Sequence, residues 1–89
     1  MPRFRKKPIM IDAIQYDGSN GSSLYSWSSG RVIQSPVLEG QPCVQVQTME
    51  GMMTGAVGDW IIRGIMGEFY PCKPDIFAAT YDPVEDDNA

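Results

Sequence analysis

The sequence predicts a compact antiparallel β domain, α+β to mainly β, of about five to seven short strands with one or two short helical segments. Three observations lead there. Apolar and polar residues alternate along "PCVQVQTM" from Pro42 to Met49, the pattern of a strand with one wet face. Turn signals recur at short intervals, at Asp17-Gly18, Glu50-Gly51, Gly58 and Gly64 to Gly67, as hairpins require. Helix signals are confined to "SNGSSLYSWSSG" and "KPDIFAA".

In chain order, "PIMIDAIQYDG" opens the fold as a strand. Ile9, Ile11 and Ala13 share one face, and Met10, Asp12, Ile14 and Tyr16 share the other, so both faces are expected to be covered. In "SNGSSLYSWSSG", Asn20 and Ser22 suit an N-cap, Leu24 and Trp27 lie three apart, and Gly30 suits the C′ position. A short helix fits, held by Trp27 because the Ser content gives poor intrinsic propensity; a loop is the alternative. "RVIQS" reads as a brief strand stopped by Pro36. "PCVQVQTM" and "MMTGAV" form a hairpin across Glu50-Gly51, and "DWIIRGI" and "EFYPC" form a second one across Gly64 to Gly67. "KPDIFAA" reads as a single helical turn with Pro74 first, Asp75 at the positive end of the backbone dipole, and Ile76 and Phe77 plugging the core. "TYDPV" is expected to close the domain as a last strand. Trp60, Phe69, Phe77 and Trp27 are the expected core anchors.

At 89 residues, 43% of them apolar, the chain has the size of one small domain, assigned to residues 1–83, with an acidic disordered tail at 84–89. So short a chain with many aromatics and methionines is expected to pair with copies of itself. No apolar run approaches the roughly 20 residues needed to span a bilayer. The opening "MPRFRKKPIM" lacks the apolar segment of a signal peptide, so a cytosolic place and no membrane partner are expected. Cys43 and Cys72 are too few for a disulfide framework or a structural zinc site, and read as buried thiols; a bridge between them would need neighbouring strands.

The net charge of -4 is unevenly spread. Arg3, Arg5, Lys6 and Lys7 crowd the start, leaving Arg31, Arg63 and Lys73 elsewhere, while Asp82, Glu85, Asp86 and Asp87 crowd the other end. A nucleic-acid-binding arm is one reading, but four charges on an acidic domain bind phosphates weakly and salt removes even that. Two solvated termini of opposite sign is the reading adopted, and nucleic acid is not an expected partner.

"FRKKPIMIDAIQYDG" and "GDWIIRGIMGEFYPCKPDIFAATYDPV" together resemble a family of small, uncharacterised bacteriophage and prophage accessory proteins. The shared features are an R-K-K-P strand opening and a G-D-[WY]-I-I-x-G-x-x-G-E-x-Y-P-C-K-P-x-x-F-x-x-T-Y core. The resemblance covers roughly half of the chain and leaves Ser19 to Pro42 unmatched. It implies phage origin and a shared fold, so that the cytosolic place expected above is the host cytoplasm. It brings no catalytic or binding residue with it.

With no His in the sequence, Ser-His and Cys-His nucleophile pairs are excluded, as is the commonest transition-metal ligand. Asp59 and Glu68 flank the second hairpin and could approach each other, but the spacing equally suits solvated strand ends. No phosphate-loop, dinucleotide or calcium-loop signature appears. No enzyme activity, cofactor or metal is expected. Binding is easier to support. Arg63 shares a strand face with Ile61, Tyr70 a face with Glu68 and Cys72, and Lys73 begins a helical turn whose free N–H groups attract anions. With Arg31, these make a candidate set for an anionic, nucleotide-like ligand, held by stacking and charge-assisted donors. The competing reading pairs Arg63 with Glu68 across the hairpin. The expected function is therefore a non-catalytic binding protein used in host takeover or counter-defence, sequestering that ligand as an oligomer. The alternatives are inhibition of a host protein through an exposed surface, or a minor virion or assembly role.

Overall fold

The computed structural model describes residues 1–5, 7–38 and 40–84. The acidic tail read from the sequence lies, from residue 85 onward, outside the described residues. Six strands and two short helices follow one another as β1 (Asp12–Gln15), α1 (Gly21–Trp27), β2 (Val32–Leu38), β3 (Gln41–Thr48), β4 (Gly51–Ala56), β5 (Trp60–Arg63), β6 (Phe69–Cys72) and α2 (Pro74–Thr80). All strand pairs are antiparallel, in two three-stranded sheets ordered β1-β5-β6 and β2-β3-β4. This is a small α+β domain, mostly β, as the alternation and turn spacing predict.

The two sheets meet across one core. Ile61 and Phe69 come from the first sheet, Val32, Val44 and Val46 from the second, and Tyr16 and Leu24 close the ends, with Ile14 and Trp27 packed against them. The register explains the selection. Ile14 lies opposite Ile61, and Val32 opposite Val46, so period-two side chains of paired strands converge on one side. Gly55, opposite Val44, has no room for a side chain: a Cβ there would stand 3.0 Å from Val44 Cγ2 in its own sheet and 3.2 Å from Ile61 Cδ1 in the other.

The Ser-rich stretch is helical. Ser29 N–H donates to Ser26 O at 3.2 Å and Gly30 N–H to Tyr25 O at 2.9 Å, the paired bonds of a Schellman ending. The C′ residue is Ser29, at φ 56°, and Gly30 follows it at φ 85°, one place later than expected. Asn20 occupies the N-cap position but caps nothing. Its side chain instead accepts from Asp17 N–H and donates to Gln15 O, tying the helix start back to β1. Buried Ser28 accepts from Val32 N–H at 2.8 Å and so joins the helix end to β2.

Four sequence expectations need correction. The first strand is ladder-paired only over Asp12–Gln15, and Ile9 to Ile11 run beside the sheet instead. β2 continues through Pro36 to Leu38. β2 is an outer strand, the place in a sheet where proline is tolerated, and its register with β3 shifts between Ser35 and Leu38. α2 runs on to Thr80, and Tyr81 to Val84 form no strand. Phe77 and Tyr81, four apart on one helical face, pack their rings 5.0 Å apart and hold that segment off any sheet. Ile76, expected in the core, is 56% exposed.

Candidate functional site

The expected ligand residues separate into three places. Period two does this. Arg63 and Phe69 face each other across β5 and β6 on the core side, so their neighbours Ile62 and Tyr70 point to the outer side.

The first place lies at the rim of the core. Trp27 meets Phe69 edge-on, with centroids 5.3 Å apart and planes at 82°. The Arg63 guanidinium carbon lies 5.4 Å from the Trp27 centroid, and that of Arg31 lies 5.9 Å from the Phe69 centroid. Two cations therefore flank one aromatic pair, a favourable arrangement with the ring quadrupoles. Arg63 also pairs with Asp12, its direct cross-strand neighbour, at 2.6 Å. The carboxylate opposite Arg63 is thus Asp12, not Glu68. Arg31 donates to Ser28 O at 3.4 Å.

The second place is the joint between the sheets. Gly58, at φ 97°, allows the turn from β4 into β5. Its N–H donates to Tyr16 O, Tyr16 N–H donates to Asp59 O, and Asp59 N–H donates to Ala56 O. Asp59 is buried at 4% exposure. Its Oδ2 accepts from Ala56 N–H at 3.0 Å and from Lys73 Nζ at 3.3 Å. Lys73 is therefore engaged by a carboxylate, and the first turn of α2 carries its own anion in Asp75. Asp59 and Glu68 stand at opposite ends of the β5–β6 hairpin: Asp59 precedes Trp60, which pairs with Cys72, and Glu68 O accepts from Gly64 N–H at the turn. They form no acid–base pair.

The third place is the outer side of the β1-β5-β6 sheet. Trp60 and Phe77, read as core from the sequence, stack here at 4.3 Å and 7°, half-buried and outside the principal core. Tyr70 shares a hydrogen bond with Tyr81, oxygens 3.4 Å apart. Burial, then the Tyr81 contact, push the Tyr70 phenol well above the usual tyrosine range. Burial pushes the Cys72 thiol up too, reinforced by the Asp59 and Asp75 carboxylates, which disfavours the thiolate a nucleophile needs. Cys43 lies in the other sheet, and no disulfide joins the two.

Between Ile9 to Ile11 and α2 runs a groove of about 560 Å³, lined by Ile9, Met10, Ile11, Trp60, Phe77 and Tyr81. A second groove, of about 390 Å³, lies between the β3–β4 hairpin and β6. The sequence places Ile9 to Ile11 and Tyr81 in strands and so hides the first groove; the second depends on how the two hairpins meet. The four-residue spacing of Phe77 and Tyr81 was the available signal. Among the described residues no cluster of three His, Cys, Asp or Glu could hold a metal ion, and no helix is long and apolar enough to cross a membrane.

The fold and these surfaces define a small antiparallel β module in which Arg63 and Lys73 are engaged by carboxylates and Arg31 by a backbone carbonyl, and in which the groove beside α2 is mostly apolar. No family model, curated protein or solved structure matches the chain.

Proposed function

We propose that this chain is a non-catalytic binding protein, of the phage accessory kind its motifs resemble, that self-associates and acts in the host cytoplasm on a host protein. The observation that carries this reading is the apolar groove lined by Ile9, Met10, Ile11, Trp60, Phe77 and Tyr81. Aromatic and aliphatic concavities of this kind suit the anchor residues of protein contacts. The engagement of Arg63 by Asp12, Lys73 by Asp59 and Tyr70 by Tyr81 supports it from the other side, since an anionic ligand would have to displace internal partners. The separation of Asp59 from Glu68 and the protonated Cys72 thiol favour a role without chemistry.

The test is comparative capture with wild type and Met10→Asp, a groove residue 73% exposed and hence neutral for folding. The captured host protein is then identified and the complex rebuilt from purified components. Met10→Asp should weaken it by at least about tenfold, because burying an unpaired charge costs more than about 1.4 kcal/mol. A rebuilt complex indifferent to Met10→Asp sinks the groove as the contact.

A second reading, sequestration of an anionic, ring-bearing ligand, is favoured by the pairing of Arg31 and Arg63 around Trp27 and Phe69. Nucleotides that raise the melting temperature of wild type but not of Arg31→Ala would move the conclusion there.

A further inference from the structure

We infer that the groove between the β3–β4 hairpin and β6 receives the N-terminal arm, residues 1–8, of a second copy of this chain. The groove is lined by Met49, Glu50 and Met53 on the hairpin side and by Glu68, Phe69 and Pro71 on the β6 side, with the Glu68 carboxylate accepting from Met66 N–H. Met49 is 75% exposed and Met53 47%. Unbranched, polarizable thioethers adapt to an inserted ring and contact it favourably. β4 and β6 are each the outer strand of their sheet, so an extended segment laid between them finds backbone groups that no further strand occupies.

The arm has the complementary chemistry. Its sequence, Met-Pro-Arg-Phe-Arg-Lys-Lys-Pro, sets one aromatic among basic residues, against a mostly apolar groove that carries Glu50 and Glu68. Phe4 is 95% exposed. Among the described residues nothing forms a hydrogen bond or ion pair with Arg3, Arg5 or Lys7, nor with the Glu50 carboxylate. Pro2 and Pro8 favour an extended course, and eight extended residues reach about 26 Å, ample to cross the groove. Within one copy residues 1–5, 7 and 8 are exposed and none of them lines the groove, which is open to the arm of another copy. Exchanged reciprocally, the two arms fill this groove in both copies and close a twofold dimer. The inference rests on the self-association in the proposed function and is independent of the host partner.

The experiment places the photoreactive residue p-benzoylphenylalanine at position 4 of the full chain and mixes ¹⁵N-labelled with unlabelled protein. Wild-type mass is followed by light scattering in parallel. The expected result is a mass twice the 9.9 kDa of the chain, with mixed-isotope crosslinks from position 4 to Met49 or Met53. Phe4→Ser, and the charge reversal Arg3→Glu with Arg5→Glu, should each weaken the dimer at least about tenfold, a loss of about 1.4 kcal/mol. Adding Glu50→Lys to the charge-reversed chain should restore it. Monomer at every concentration, crosslinks confined to one chain, or a dimer indifferent to Phe4→Ser each overturn the inference. Host-protein capture by the Phe4→Ser monomer separates failure of this dimer from failure of the proposed function.

Discussion

Replacing Asp59 by Ala removes a side chain that ties the end of β4 and the start of α2 to the beginning of β5. Its Oδ2 accepts from Ala56 N–H at the end of β4 and from Lys73 Nζ before α2. Losing the first contact leaves a partly buried N–H without its partner, at about 1–2 kcal/mol. Losing the second costs less. The Lys73 side chain is 63% exposed, so water screens the pair and its worth stays within about 1 kcal/mol. Asp59→Ala should therefore cost about 1–3 kcal/mol, which in a domain of this size lowers the melting temperature by roughly 5–20 °C. Lys73→Ala should cost no more than about 1 kcal/mol, and the double variant should resemble Asp59→Ala alone. Urea denaturation of the wild type, both single variants and the double variant measures all three quantities in one cycle. If Lys73→Ala destabilises as much as Asp59→Ala, the carboxylate depends on its cation rather than on the backbone N–H. That outcome would refute the backbone N–H as the larger contribution.

Two further outcomes follow from the same geometry. Gly55→Ala should destabilise by about 1–3 kcal/mol despite alanine's better backbone entropy, because its Cβ would crowd Val44 and Ile61; a stabilised variant in urea melts would show that the sheets can part there at no cost. Tyr70 and Tyr16 both hold their phenol protons above the ordinary range, chiefly through burial, whereas the unfolded chain ionises them near pH 10. The folded pKa is the raised one, so this stabilisation is complete below about pH 10 and is lost as pH rises beyond it. Phenolate absorbance should show a late-titrating fraction that shrinks in Tyr70→Phe, and simultaneous ionisation of all tyrosines in folded protein would contradict it.

Local chemistry was enough to read the hairpins. The alternation from Cys43 to Thr48 and the glycines at 51, 58, 64 and 67 predict β3 with β4 and β5 with β6, because side-chain period and turn conformation are properties of adjacent residues. The helix around Leu24 and Trp27 was legible for the same reason. Where Arg63, Tyr70, Lys73 and Arg31 would lie relative to one another was not, since period two assigns a residue to a face but not to a partner from a distant strand. Pairing with β1 sets Asp12 opposite Arg63, the Gly58-Asp59 turn brings a buried carboxylate to Lys73, and the pairing of β5 with β6 turns Tyr70 away from both. Trp60 and Phe77 carry the same lesson. Their size marks them for burial, yet only the docking of α2 on the outer side of the β1-β5-β6 sheet makes them a surface stack beside a groove instead of part of the core between the sheets. Composition decides how much apolar surface must be hidden; the contacts between segments far apart in the chain decide which of it stays at the surface.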